Sequence, residues 1–280
     1  MDAVLPVSRG DLRRAKLCLR SLRNVYEGLG TVWVIHEDVD SEAFAELSNT
    51  FDFLRLVRSS DVIPGRGNAP ILHRVAQIVH AGCVGWYRQQ MIKLAMARMV
   101  ETPFYLLLDA DVVCTQKMRI SDLFEDGKAM AVRHEMLHPT WYRISAALLS
   151  LPPLVDEFGV TPVVLHTSTC LDLLRHLGGG RDPDDPRWVA RLGRTLGWTE
   201  YSLYYTFLSH RGRLDELHSG VSYKRWFGPS VWRSWHPGEG SWSPEAAFAE
   251  RNHGWFSVVS SRCGPPLEIL EEMLDPYLPQ

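Results

Sequence analysis

Phe104-Tyr105-Leu106-Leu107-Leu108-Asp109-Ala110-Asp111 runs five apolar residues without a break into two carboxylates. An uninterrupted apolar run of that length reads as a strand buried on both faces, the kind found inside parallel sheets. Side chains at i and i+2 of an extended segment point the same way, so Asp109 and Asp111 fall on one side of the strand end. Two carboxylates so placed repel each other and are poorly solvated, and they make a hard-oxygen site suited to Mg²⁺ or Mn²⁺. An Asp-x-Asp alone is common in turns and helix caps; the Leu-Leu-Leu before it and the Val-Val after it separate this one from those.

Moving outward, Gly85-Trp86-Tyr87-Arg88-Gln89-Gln90-Met91-Ile92-Lys93-Leu94 begins a helix expected to run to about Val100 and to lead into the carboxylate strand. Gln89 and Lys93 are four apart and share one face. They either point at a ligand or form a solvated pair, and Arg88 is a candidate phosphate clamp. At the N-terminus, Ala3 to Val7 suits a first buried strand. Asp11 can cap a helix with apolar positions Leu12, Ala15, Leu19, Leu22 and Tyr26, ended by Gly28 and Gly30. Thr31 to Ile35, rich in β-branched residues, gives the next strand. Strand, helix, strand in this order starts a parallel α/β sheet. Ligands in such sheets sit beyond the carboxyl ends of strands. Glu37, Asp38 and Asp40 follow directly there, and Asp38 is a candidate for a base or ribose hydroxyl, or else a turn residue.

Further strands are expected at Ala129 to Arg133, Pro162 to His166 and Trp255 to Val259. Arg66 to Pro70 and the Gly- and Pro-dense Gly178 to Pro186 read as loops, the latter flexible. Trp188, Trp198, Trp226, Trp232, Trp235, Trp242 and Trp255 fall in the second half; each suits a core position, and together they suit the walls of a sugar cleft. Thr199 to Ser209 reads as a buried helix faced by Tyr201, Tyr204, Tyr205 and Leu208. Glu200 opens it, either complementing the helix dipole or acting as a general base. The segment Ser234 to Pro244 has the Gly, Ser and Pro content of a lid carrying Trp235, His236 and Trp242.

The bulk numbers are those of an ordinary globular protein: 280 residues, 45% hydrophobic and 22% charged. A net charge of -3 gives no electrostatic case for nucleic acid or an anionic membrane as partner. No apolar run approaches the roughly 20 residues of a membrane span. Asp2, Arg9 and Asp11 argue against a secretory leader. The five scattered cysteines, Cys18, Cys83, Cys114, Cys170 and Cys263, contain no C-x-x-C pair and read as reduced thiols of a cytoplasmic protein.

Tyr105 to Val113 resembles the Asp-x-Asp strand of GT-A glycosyltransferases. Together with Gly85 to Leu94, Trp198-Thr199-Glu200-Tyr201-Ser202-Leu203-Tyr204, and the opening Val4-Leu5-Pro6-Val7 with Asp11, the chain resembles a bacterial family of GT-A-like proteins, DUF6492, over about Val4 to Ser261. The resemblance implies a single α/β domain, a mixed, mostly parallel sheet flanked by helices, with a nucleotide-binding half over about residues 1–115 and an acceptor side over 116–280. It implies transfer of a sugar from a nucleotide-diphosphate donor to a small-molecule or glycan acceptor, with Mn²⁺ or Mg²⁺. Pro6, Val7 and Ser8 would lie beside the nucleotide, Asp109 would approach ribose or metal, and Asp111 would bind the metal. GT-A enzymes often add a late histidine ligand; His236 and His253 are the candidates, each otherwise a surface or packing residue. Nucleotidyl transfer or pyrophosphate cleavage on a similar scaffold is the competing enzyme reading, but Pro6 to Asp11 supplies one glycine where a phosphate loop needs several. A non-catalytic nucleotide-sugar-binding protein is the third.

Overall fold

A computed structural model describes residues 1–65, 84–232 and 242–279. Its centre is a five-stranded sheet. Strands β1 (Asp2–Pro6), β2 (Val32–His36), β3 (Leu54–Arg58), β4 (Phe104–Leu107) and, later in the chain, Val163–His166 take the spatial order Val163–His166, β4, β1, β2, β3. The first three and β4 are mutually parallel, and Val163–His166 lies antiparallel to β4. The apolar runs follow this placement. Strands β1 and β2 are buried along their whole length, whereas β3 at the edge exposes Arg55 and Arg58, charges that discourage pairing with another sheet.

Helix α1 (Leu12–Ser21) packs through Ala15, Cys18 and Leu19, and α2 (Ser41–Thr50) through Phe44 and Leu47, on the same side of the sheet. Helix α3 (Val84–Ala95) packs on the other side with Ile92, Leu94 and Ala95. Gly30 permits the close approach that starts β2. A Cβ there would lie 2.5 Å from Asp2 Oδ1, whose carboxylate accepts from Thr31 N at 3.1 Å and Trp33 Nε1 at 3.0 Å.

The first helix is shorter than its apolar spacing predicts. It ends at Ser21, passes through a 3₁₀ turn over Leu22–Asn24 and becomes a short strand, Val25–Glu27, paired with Met118–Arg119. Tertiary contacts decide this, with Asn24 Nδ2 donating to the Cys114 carbonyl at 2.8 Å. Tyr26 is therefore 63% exposed and not a core helix residue, and Gly28 and Gly30 lie beyond a strand. Asp11 stands at the predicted cap position but does not cap. Its carboxylate accepts from Ser8 Oγ at 2.7 Å instead.

Beyond the carboxylates, β5 (Val112–Cys114) pairs antiparallel with a late strand, Phe256–Val258, and β6 (Lys128–Glu135) pairs with Asp156–Phe158 on one side and, in parallel, His218–Val221 on the other. Helices α4 (Pro139–Leu149), α5 (Thr167–Leu177), α6 (Arg187–Gly193), α7 (Glu200–His210) and α8 (Leu267–Leu274) complete the part needed here. Helix α7 is buried along most of its length, as the tyrosine pattern predicts, and Trp188, Trp198 and Trp226 are core residues. The Gly178 to Pro186 stretch lies largely at the surface yet is tied down. Trp188 Nε1 donates to the Pro183 carbonyl at 2.9 Å, and Arg98 pairs with Asp184. Of the expected lid, Trp235 and His236 lie outside the described residues. Trp242 is buried, donating to Ser257 Oγ at 2.9 Å, and so serves packing. The expected loop Arg66 to Pro70 and Cys83 also lie outside the described residues.

Candidate active site

A pocket of about 580 Å³ opens where the carboxyl ends of β1, β2 and β4 meet. Its walls come from six stretches far apart in sequence: Pro6, Val7, Ser8 and Asp11; Ile35, His36 and Glu37; Ser59; Trp86, Arg88 and Gln89 of α3; Asp109 to Asp111; and Ser260, Ser261 and Arg262. The sheet dictates this convergence, because Val7 N donates to the Ile35 carbonyl at 2.8 Å and Leu108 N to the Val4 carbonyl at 2.9 Å. Three strand ends are thereby held in register at the mouth.

Asp109 is fixed from behind by α3. Gln89 Nε2 donates to Asp109 Oδ1 at 2.9 Å, and Lys93 Nζ stands 2.9 Å from the same oxygen. Lys93 is also 2.9 Å from Glu200 Oε1 and donates to Thr161 Oγ1 at 3.3 Å, while the Gln90 amide nitrogen, turned toward Glu200, donates to the same carboxylate. Burial opposes the Lys93 charge, but Asp109 and Glu200 together push its pKa above the ordinary lysine value, so it stays an ammonium. Asp111 is held differently, with Oδ2 accepting from Ser261 N at 3.2 Å. Its pKa is raised to about 6, by burial first and by the charge of Asp109 second.

Several expected residues therefore change place. Pro6, Val7, Ser8, Arg88, Gln89, Asp109 and Asp111 all line the pocket. Arg88 is engaged there by Glu37 and Ser59 and so braces a wall. Asp38 does not line the pocket; it accepts from Ser60 N at 3.2 Å and ties the loop to the turn after β3. Lys93 is 1% exposed and stands behind Asp109, neither a solvated partner of Gln89 nor a contact for ligand. Glu200 departs most from the general-base alternative. It is fully buried, paired with Lys93 and absent from the pocket wall, because α3 delivers a lysine that no pattern within α7 announces. Of the late histidines, His253 is exposed and outside the pocket lining, and His236 lies outside the described residues.

Glu37 and Trp86 were legible as neighbours of sequence motifs, but Ser261 and Arg262 were not. Both follow the predicted late strand, whose antiparallel pairing with β5 returns the chain to Asp111: Val259 N donates to the Asp111 carbonyl at 2.9 Å. Arg262 is exposed at the pocket rim.

Among the described residues no group of three or more His, Cys, Asp or Glu side chains forms a metal cage. The two carboxylates nonetheless fit a hard divalent ion. They supply oxygen ligands, a divalent cation would offset the burial and the Asp109 charge that together raise Asp111, and open positions would remain for oxygens of a ligand.

A mostly parallel sheet flanked by helices, with Asp109 and Asp111 just beyond β4, the strand beside the middle one, is the GT-A type of fold. The galactosyltransferase LgtC, solved in complex with donor and acceptor sugar analogs, shares it with a TM-score of 0.50 and 10% identity, over 99% of this chain and 96% of that one. Mouse xyloside xylosyltransferase 1 in its apo form gives 0.49 and 15%, over 95% and 100%. The chain belongs to the family of unknown function DUF6492, matched over residues 1–280. Among curated proteins no sequence matches.

Proposed function

We propose that the protein is a glycosyltransferase that binds a nucleotide-diphosphate sugar with Mn²⁺ or Mg²⁺ and passes the sugar to an acceptor hydroxyl. The observation that carries this reading is the paired Asp109 and Asp111, facing a pocket built from three parallel strand ends in a GT-A-type fold. Asp109 and Asp111 would hold the cation, which when bound neutralises charge gathering on a departing nucleoside diphosphate.

The chain's own groups have separable tasks. Lys93 and Gln89 hold one oxygen of Asp109, leaving the other to face the pocket, and the Ser261 amide does the same for Asp111. Arg262 offers a positive charge at the rim, where phosphate oxygens would approach. Glu37, steadied by Arg88, presents an acceptor for ribose or base donors. Trp86 supplies an aromatic face of the kind on which sugar C–H groups pack. The buried free thiols Cys18, Cys114 and Cys170 support a reducing, cytoplasmic setting.

Calorimetry with UDP and GDP, in Mn²⁺ and in EDTA, tests the reading. One nucleotide is expected to bind in Mn²⁺ and to lose at least about tenfold in EDTA, a change of ~1.4 kcal/mol. Asp111→Asn should lose the metal-dependent part while remaining folded. Equal affinity in both conditions would defeat the metal site, and absence of binding by either nucleotide together with failure of sugar nucleotides to raise the melting temperature would defeat the donor class.

A further inference from the structure

A second cavity, about 1070 Å³, lies away from the nucleotide pocket, between α4, the end of α5 and α6. Its lining carries Arg143, Arg187, Arg191 and Arg194 and no acidic residue. The chain as a whole is net negative at -3, so four positive charges around one groove are a segregation that bulk charge conceals. Not all four are equally available. Arg191 donates to the Leu148 carbonyl, and Arg187 stands 3.7 Å from Asp185. Arg143 and Arg194 are exposed and have no hydrogen-bond or ion-pair partner among the described residues.

The floor beneath these charges is apolar, with Ile144 and Leu148 of α4 at its centre. A cationic rim over an apolar floor selects among anionic partners. A polyanion such as nucleic acid satisfies the arginines and gains nothing from the floor. A phospholipid satisfies both, its phosphate accepting from the guanidinium forks and the first acyl carbons covering the floor. We propose that this groove docks the protein on a membrane leaflet that carries anionic phospholipid. The inference does not depend on glycosyl transfer, and it requires no span; among the described residues no helix is long and apolar enough to cross a membrane.

Flotation with phosphatidylcholine vesicles, with and without phosphatidylglycerol, is the test. The protein should float with vesicles containing phosphatidylglycerol, stay behind with phosphatidylcholine alone, and be released as salt rises. Replacing both Arg143→Ser and Arg194→Ser should lower the partition by about fivefold per arginine, whereas Arg143→Lys with Arg194→Lys should keep most of it. These side chains are exposed and unbonded, and an unchanged far-UV circular dichroism spectrum would certify the fold of each variant. Equal recovery with both vesicle types, or undiminished recovery of the folded serine variant, would overturn the proposal. So would stabilisation by inorganic phosphate, dependent on Arg143 and Arg194, without recovery on vesicles, since that describes a site for the free anion.

Discussion

Lys93 sits at the junction of three elements, and its surroundings set what happens when it is removed. Its ammonium holds Asp109 and Glu200 together in a region where neither lysine nor glutamate meets water. Lys93→Met would leave Glu200 buried without a counter-charge, and urea denaturation should show a loss of about 3–5 kcal/mol. Adding Glu200→Leu to that variant should restore much of the stability, because a buried pair replaced together costs far less than a pair broken. A double variant no more stable than Lys93→Met alone would show that the two do not act as a pair. Asp111 gives a prediction of opposite sign to the usual carboxylate. Its folded pKa of about 6 stands above the ordinary 3.8, so the folded state binds the proton more tightly than the unfolded state does. This group therefore opposes folding above pH 6 in metal-free protein, and its penalty fades as pH falls from about 6 toward 4. At pH 7, Asp111→Asn should stabilise the metal-free protein by about 1–2 kcal/mol, a rise in melting temperature of roughly 2–6 °C. At pH 4 the gain should largely disappear; a gain that is the same at both pH values would refute the assignment.

At the scale of elements, the parts written in consecutive residues were the legible ones. Phe104 to Leu107 is the strand its unbroken apolar run predicts, and Thr199 caps the helix that its neighbours predict. Tyr26 misled because it continues an i, i+4 pattern that the chain abandons at Ser21, where bonds from distant residues outweigh local spacing. Glu200 misled for a related reason. Its cation comes from 107 residues earlier, and neither helix records the other in its own sequence. The cap of α7 is a reciprocal pair, Ser202 N donating to Thr199 Oγ1 at 3.0 Å and Thr199 N donating to Ser202 Oγ at 2.9 Å, both fully buried. Thr199→Ala should cost about 1–2 kcal/mol in thermal or urea unfolding, and Thr199→Ser should recover most of it. A loss in Thr199→Ala below about 0.5 kcal/mol would mean that other contacts hold the end of the helix that carries Glu200.

Across the whole molecule, the pocket depends on a late segment that covers one wall. Helix α8 buries Leu270 and Leu274 in a cluster with Leu17, Val113 and Val259, and Arg13 of α1 pairs with its Glu268 and Glu271. The Leu cluster should dominate, because the ion pairs are exposed and water screens them. Leu274→Ala should cost about 2–5 kcal/mol and weaken nucleotide binding through the adjoining Val259 to Arg262, while Arg13→Ala should do little to either. Nucleotide affinity unchanged in a measurably destabilised Leu274→Ala would uncouple the helix from the pocket. The bond from Ser261 to Asp111 also has a meaning in time. Synthesis delivers the carboxylates 150 residues before the amide that fixes them, a gap of roughly 8–30 s at about 5–20 residues per second. For that interval a nascent chain can assemble strands β1 to β4 yet lacks the amide that steadies Asp111, so the pocket wall is completed only once residue 261 has left the ribosome.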